Sequence, residues 1–163
     1  MKTQKLIVSV AIVCLLFGAS GAAMADDILE CDDGIIQGTR QEPLVVEGNI
    51  LIEGQSCTIK DVEVAGRIEV LNAENITIVS NEVEGRILVE KSRFATIVAN
   101  GARNIVVKNN ELASVAANIA TRTIRVNRNG VAFVKQNASL AIVCRGNIRL
   151  DSFFNQAEEE SCR

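Results

Sequence analysis

The chain has 163 residues, of which 17 are basic and 20 are acidic, for a net charge of −3. It contains no histidine, tryptophan or tyrosine, which excludes Ser-His-Asp and Cys-His catalysis, histidine metal sites and tyrosine bases. The acidic balance argues against nucleic acid as a partner and against simple electrostatic attachment to anionic lipid, since both require a basic surface.

The first 25 residues have the three parts of a secretory signal peptide. Lys2 and Lys5 give a basic start, residues 6–17 are apolar, and a small-residue cleavage site ends at Ala25. The apolar run is too short for a membrane anchor, and we expect no membrane span in the rest of the chain. The sequence therefore predicts cleavage near Ala25 and a periplasmic or secreted product.

After the signal peptide, we expect an N-terminal cap at residues 26–47, a repeat region at 48–157 and a C-terminal tail at 158–163. In the repeat region a pattern recurs every 18 or 19 positions. Apolar pairs form its first strand: Ile50/Ile52, Ile68/Val70, Ile87/Val89, Ile105/Val107, Ile124/Val126 and Ile142/Cys144. A second apolar column follows: Ile59, Ile78, Ile97, Val115, Val134 and Phe153. Self-similarity at a fixed period is typical of a solenoid, whose units bury their apolar faces against their neighbours.

Within each unit the apolar residues alternate with polar ones, and Val, Ile and Thr are frequent. This pattern indicates strands, with Gly and Asn supplying the turns between them. We therefore predict an all-β, single-domain parallel β-helix (β-solenoid) of about six rungs of 18–19 residues. Parallel strands are normally joined by right-handed crossovers, so we expect a right-handed coil.

A polar column accompanies the apolar ones at the same spacing. Its members are Asn81, Asn100, Asn118, Asn137 and Asn155. Stacked side-chain amides can hydrogen-bond along the solenoid axis and satisfy the backbone groups of a turn. We favour such a structural ladder over five separate turn asparagines.

Four cysteines follow the signal peptide: Cys31, Cys57, Cys144 and Cys162. An even number in an exported chain predicts two disulfides, for which three pairings exist. The spacing of 18 favours Cys144 with Cys162 on adjacent rungs, about 4.8 Å apart. Cys31 and Cys57 would then join the N-terminal segment to the first rung, so that both ends are capped. No C-x-x-C spacing supports a metal site instead.

The segments NITIVSNEVEGRILVEKS and NIVVKNNEL resemble repeats of right-handed, pectin-lyase-like parallel β-helix proteins. This resemblance implies a β-helix and, by analogy, carbohydrate as a ligand or substrate. The rungs here are shorter than in that family, and its long cleft-forming loops are absent. A second likeness, in the layout of strand–turn–strand repeats, is to self-assembling curlin subunits. The file Thr58, Thr77, Thr96 and Ser114 resembles the ice-binding surface of antifreeze β-helices, although ordinary strand propensity accounts for it.

Charged residues at repeat spacing are the candidates for ligand binding. Glu63 and Glu82 are 19 positions apart, as are Arg67 and Arg86, so each pair is expected on neighbouring rungs. Paired carboxylates beside arginines suit a polysaccharide lyase or glycoside hydrolase, or calcium. A solvated surface of balanced charges is the alternative that we favour. We predict no catalytic residues, no metal and no cofactor.

The leading hypothesis is an exported, non-catalytic β-helix acting as a structural or binding module. Carbohydrate binding or polysaccharide processing is the first alternative, and a curlin-like fibre subunit is the second. A polysaccharide or another exported protein is the expected partner, and oligomerisation remains open.

Overall fold

The computed structural model describes residues 28–31 and 34–162, and the chain there is all β, with no helix among those residues. The signal-peptide residues 1–25 lie outside the described residues. Strands β1 to β17 span Ile28–Leu29, Ile35–Gln37, Leu44–Val46, Asn49–Glu53, Cys57–Lys60, Val62–Val64, Ile68–Leu71, Asn75–Val79, Glu82–Glu90, Phe94–Val98, Gly101–Lys108, Leu112–Ala116, Ile119–Asn127, Val131–Lys135, Ala138–Arg145, Arg149–Phe153 and Gln156–Cys162. Every strand pair is parallel, and partners are one coil apart, which confirms a parallel β-solenoid.

Each coil has three faces. Face 1 is the seven-stranded sheet β16-β14-β12-β10-β8-β5-β2. The long strands bend and contribute to two faces: the start of β9 pairs with β6, whereas its end pairs with β7. Face 2 therefore comprises β3, β6 and the starts of the long strands, and face 3 comprises β1, β4, β7 and their ends. The seven strands of face 1 mark about seven turns.

The two ends of the chain extend the coil further than the repeat pattern indicates. Strands β1, β2 and β3 pair in parallel with β4, β5 and β6, so the segment expected as a cap forms a short first turn. At the other end β17 continues to Cys162 beside β15, so most of the expected tail is a strand. These additions raise the number of turns from six to about seven.

The core consists of inward-facing columns of aliphatic side chains. On face 3 the Ile column is fully buried from the second turn to the seventh: Ile50, Ile68, Ile87, Ile105, Ile124 and Ile142 are all at 0% exposure. Because side chains along a strand point alternately inward and outward, every second residue of each strand faces the core. Burying one such side chain stabilises the fold by roughly 1.5–3 kcal/mol, so the stacked columns provide the main driving force.

The prediction for Phe153 is wrong. Val134 pairs with Ser152, not with Phe153, because the last coil is 18 residues long rather than 19. A shift of one residue moves a side chain to the other side of a sheet, and Phe153 is 44% exposed. Ser152 takes the inward position instead, and both Ser152 and Asn155 donate hydrogen bonds to Glu160. Leu150 and Ala157 still pack against the core, so polar groups replace only part of the apolar column in the last coil.

The asparagine column lies at the corner between face 1 and face 2. Asn81 donates from its backbone N and its Nδ2 to Oδ1 of Asn100, at 3.1 and 2.9 Å. Asn100, Asn118 and Asn137 repeat the same pair of bonds to the next asparagine. The residue before each asparagine has a left-handed backbone: Ser80, Ala99, Ala117, Gln136 and Phe154. This conformation is costly for non-glycine residues, and the ladder compensates by satisfying the corner's polar groups.

A second ladder, which the sequence analysis missed, lies at the corner between face 3 and face 1. Its members are Ser92, Asn110, Asn129 and Asn147. Left-handed residues again precede them: Lys91, Asn109, Arg128 and Gly146. The spacing of Asn110, Asn129 and Asn147 (19 and 18) was the available signal.

Both predicted disulfides are present. Cys31 is bonded to Cys57 with a Cα–Cα distance of 6.3 Å. Cys144 is bonded to Cys162 with a Cα–Cα distance of 4.5 Å, across adjacent strands β15 and β17. One bridge thus lies at each end of the solenoid. Disulfides of this structural kind indicate an oxidising compartment.

Candidate functional site

Glu63 and Glu82 are neighbours on the outer side of face 2. They are register partners in β6 and β9, and both are exposed. Glu47 and Glu84 join them around a shallow depression of about 340 Å³. Among the described residues, no group of three or more acidic or cysteine side chains is arranged to hold a metal ion. The carboxylates form an acidic strip on face 2.

Arg67 and Arg86 lie on adjacent coils at the other side of the bend. Arg67 Nε is 3.4 Å from Glu69 Oε1, and Arg86 forms an ion pair with the same oxygen. Glu69 is largely buried, with 17% of its side chain exposed. This carboxylate partly neutralises both arginines and holds them side by side.

The predicted glutamate and arginine pairs do not form one site. They are separated by the bend between face 2 and face 3, where Gly66 and Gly85 stack, with Gly85 N donating to the Gly66 carbonyl at 2.9 Å. The glutamates line a depression on face 2, and the arginines line another at the bend.

Two arginines that the sequence analysis missed complete the basic site. Arg103 and Arg122 line the same shallow depression, of about 750 Å³, as Arg67 and Arg86. We call these four residues the arginine corner. Among the described residues, neither Arg103 nor Arg122 forms a salt bridge. Glu84 lines the same depression as these arginines.

Arg103 and Arg122 are 19 positions apart, and this repeat spacing was the available signal; an irregular register explains why Arg103 does not align with Arg86. Arg86 pairs with Asn104 because β11 has one residue fewer at the bend. The spacing from Arg86 to Arg103 is consequently 17, whereas the repeat is 18 or 19. The strand pairing of β13 shifts at the same place, between Ala120 and Thr123. Repeat arithmetic fails where a bend gains or loses a residue.

Charge is strongly polarised along the solenoid axis, which the near-neutral total conceals. Residues 34–84 contain 3 basic and 9 acidic side chains, a net charge of −6. Residues 85–149 contain 11 basic and 2 acidic side chains, a net charge of +9.

Glu90, one of those two acidic residues, forms a salt bridge with Lys108 at 2.9 Å. The hydrogen bond from Lys108 lowers the pKa of the Glu90 carboxyl, with a smaller contribution from Asn109.

The strand pairing shows that the chain is a parallel β-solenoid, and two disulfides cross-link it. Within residues 28–31 and 34–162, no helix is long and apolar enough to cross a membrane. Comparisons with protein-family models, with characterised proteins and with solved structures found no match.

Proposed function

We propose that the chain is an exported, non-catalytic binding module of the right-handed, pectin-lyase-like β-helix class, and that its arginine corner binds an acidic polysaccharide. The observation that carries this proposal is the pair Arg103 and Arg122, which line one depression together with Glu84 and form no salt bridge among the described residues. Export is supported by the disulfides, since such bridges persist in oxidising compartments. Periplasm and extracellular space both meet this condition.

The geometry of the arginine corner favours a linear polyanion. Its arginines occur on four successive coils, so they extend over about 14 Å along the axis at about 4.8 Å per coil. A guanidinium group binds a carboxylate or sulfate through two parallel hydrogen bonds. A polysaccharide that carries one such anion on each sugar presents them at a comparable interval. Arg125 on face 3, which is also exposed, extends the positive surface beyond the corner.

The ends of the coil weigh against the curlin-like alternative. A fibre would require the last coil of one molecule to stack on the first coil of the next. Strands β1 to β3 have only two or three residues each, and β17 carries Glu158, Glu159 and Glu160. Short strands and charges on an edge are common protections against edge-to-edge association.

Binding of the oxidised protein (residues 26–163) to a panel of neutral, uronic-acid and sulfated polysaccharides tests the proposal, with and without calcium. We expect binding to acidic members only, weakening as salt is raised. The double variant Arg103→Ser/Arg122→Ser should lose at least about tenfold in affinity, because each lost charge-assisted bond contributes about 1.5–3 kcal/mol. The matched control is Arg128→Asn/Lys135→Ser, which removes the same charge elsewhere.

Two outcomes would overturn the proposal. If no acidic polysaccharide binds, the proposed class of ligand is wrong. If the two double variants lose the same affinity, the arginine corner is not the binding site. Incubation with the same polysaccharides also tests the non-catalytic assignment. Release of new chain ends, abolished by Glu63→Gln or Glu82→Gln, would show an enzyme instead.

A further inference from the structure

The outer side of face 1 is uncharged over its central strands. Strands β8, β10 and β12 present nine outward side chains, none of them ionisable. They are Asn75, Thr77, Val79, Phe94, Thr96, Val98, Leu112, Ser114 and Ala116. Most are half-buried by their neighbours within the sheet, and Phe94 is 37% exposed. Among the described residues, the strands of face 1 pair only with one another.

From this face we infer that a second copy of the chain packs on face 1, sheet against sheet, with the two solenoid axes antiparallel. The residues involved differ from the arginine corner, so this inference stands apart from the proposed ligand. Five of the nine side chains are apolar (Val79, Phe94, Val98, Leu112 and Ala116), and an uncovered surface with an apolar centre is typical of an interaction site.

The dimensions of face 1 meet the requirement of a specific dimer. A strand of five residues is about 16 Å long, and the six strands from β5 to β16 extend over about 24 Å. Two such faces packed about 10 Å apart would bury on the order of 1,000 Å² in total, which is the lower limit for a specific interface. The same patch is used by both copies, so the association closes at a dimer.

The axial charge polarity selects the antiparallel arrangement. With antiparallel axes, the acidic coils of one copy (34–84) lie beside the basic coils of the other (85–149). With parallel axes, like charges lie together. A two-fold axis placed between β10 and β12 brings β5 opposite β16. A parallel dimer instead places the two Asp151 carboxylates, each 3.5 Å from Arg149 of its own chain, face to face.

Sedimentation velocity of the oxidised protein (residues 26–163) over a range of concentrations is the first test. We expect a dimer, with dissociation favoured by high salt. Val98→Asp should weaken dimerisation at least 100-fold, because it buries an unpaired charge on β10, the strand beside the two-fold axis. Val106→Asp is the matched control: Val106 is also an outward, half-buried valine, but on face 3. Amide exchange of both variants verifies that the coil is intact.

Orientation is tested by crosslinking. Thr77→Cys and Phe133→Cys introduce one free thiol each on β8 and β14, which an antiparallel dimer places opposite one another. A short bis-maleimide should therefore link Thr77→Cys to Phe133→Cys in a mixture, and link neither variant efficiently to itself. Efficient self-linking of Thr77→Cys would overturn the antiparallel arrangement.

A protein that remains monomeric at every concentration would overturn the inference, as would a dimer broken equally by Val98→Asp and Val106→Asp. A monomer that inhibits ice growth, and loses this activity on Thr96→Lys, would instead assign face 1 to ice through its threonine file.

Discussion

Asn100 donates both its backbone N–H and its Nδ2–H to the single Oδ1 of Asn118 on the next coil, each at 3.0 Å. Asn118 repeats the arrangement toward Asn137 and also donates to the carbonyl of Ile97, at 2.9 Å. The side chain of Asn118 is completely buried. One amide therefore satisfies the polar groups of three coils, and it does so beside a left-handed residue, Ala117.

Asn118→Ala should destabilise the protein by about 2–4 kcal/mol. The substitution leaves the buried N–H of Asn100 and the carbonyl of Ile97 without these partners, and each unsatisfied group costs about 1–3 kcal/mol. Denaturant unfolding of the oxidised protein measures the loss. Asn75→Ala is the control, since Asn75 is exposed and outside both ladders, and it should change stability by less than about 0.5 kcal/mol. Equal effects of the two changes would contradict the structural role of the ladder.

Removal of the C-terminal disulfide should loosen the last coil selectively. The bridge closes a separation of 18 residues, for which chain entropy gives about 3 kcal/mol. Amide exchange of Cys144→Ala/Cys162→Ala should therefore accelerate in β17 and much less in β9. The companion variant Cys31→Ala/Cys57→Ala should accelerate exchange in β2 and β5 instead. A uniform acceleration in either variant would indicate that the bridges do not act locally.

Two glycines on face 2 and its bend should respond differently to alanine. A Cβ on Gly85 would collide with the carbonyl oxygen of Gly66 on the preceding coil, whereas a Cβ on Gly101 would collide with the carboxylate of Glu82. Backbone atoms cannot move without disturbing the coil, so Gly85→Ala should cost about 1–3 kcal/mol. A flexible side chain can rotate away, so Gly101→Ala should cost less than about 0.5 kcal/mol. Denaturant unfolding distinguishes the two, and the reverse order would refute this packing argument.

Acid should remove the stabilisation that Lys108 gives to Glu90. Because the pKa of this carboxyl is lowered in the folded state, its contribution is present above the pKa of the unfolded chain. It is lost as the pH falls through the folded pKa. Carbon-13 titration of the Glu90 carboxyl should give a value below the ordinary one, and Lys108→Met should raise it. Lys135→Met, on face 1, should leave it unchanged, and a shift of similar size there would indicate a general charge effect.

Spacing alone predicted the parallel coil, the disulfide pairing and the position of the first asparagine ladder. In a solenoid, residues one repeat apart in sequence are neighbours in space, so their spacing in the sequence predicts which residues are in contact. Cys144 and Cys162 illustrate this, because their separation of 18 equals one coil. The inward Ile column was equally predictable, since alternation determines which side of a strand faces the core.

Only the tertiary structure determined the positions of side chains at places where the length of the coil varies. Register shifts in β11 and β13 place Arg103 and Arg122 beside Arg67 and Arg86. The last coil has 18 residues, and Phe153 is therefore outside the core. A bend can gain or lose a residue without disturbing the buried columns, because the columns constrain only the strands. Outward-facing groups near a bend are thus positioned by the folded backbone, and the arginine corner is composed of such groups.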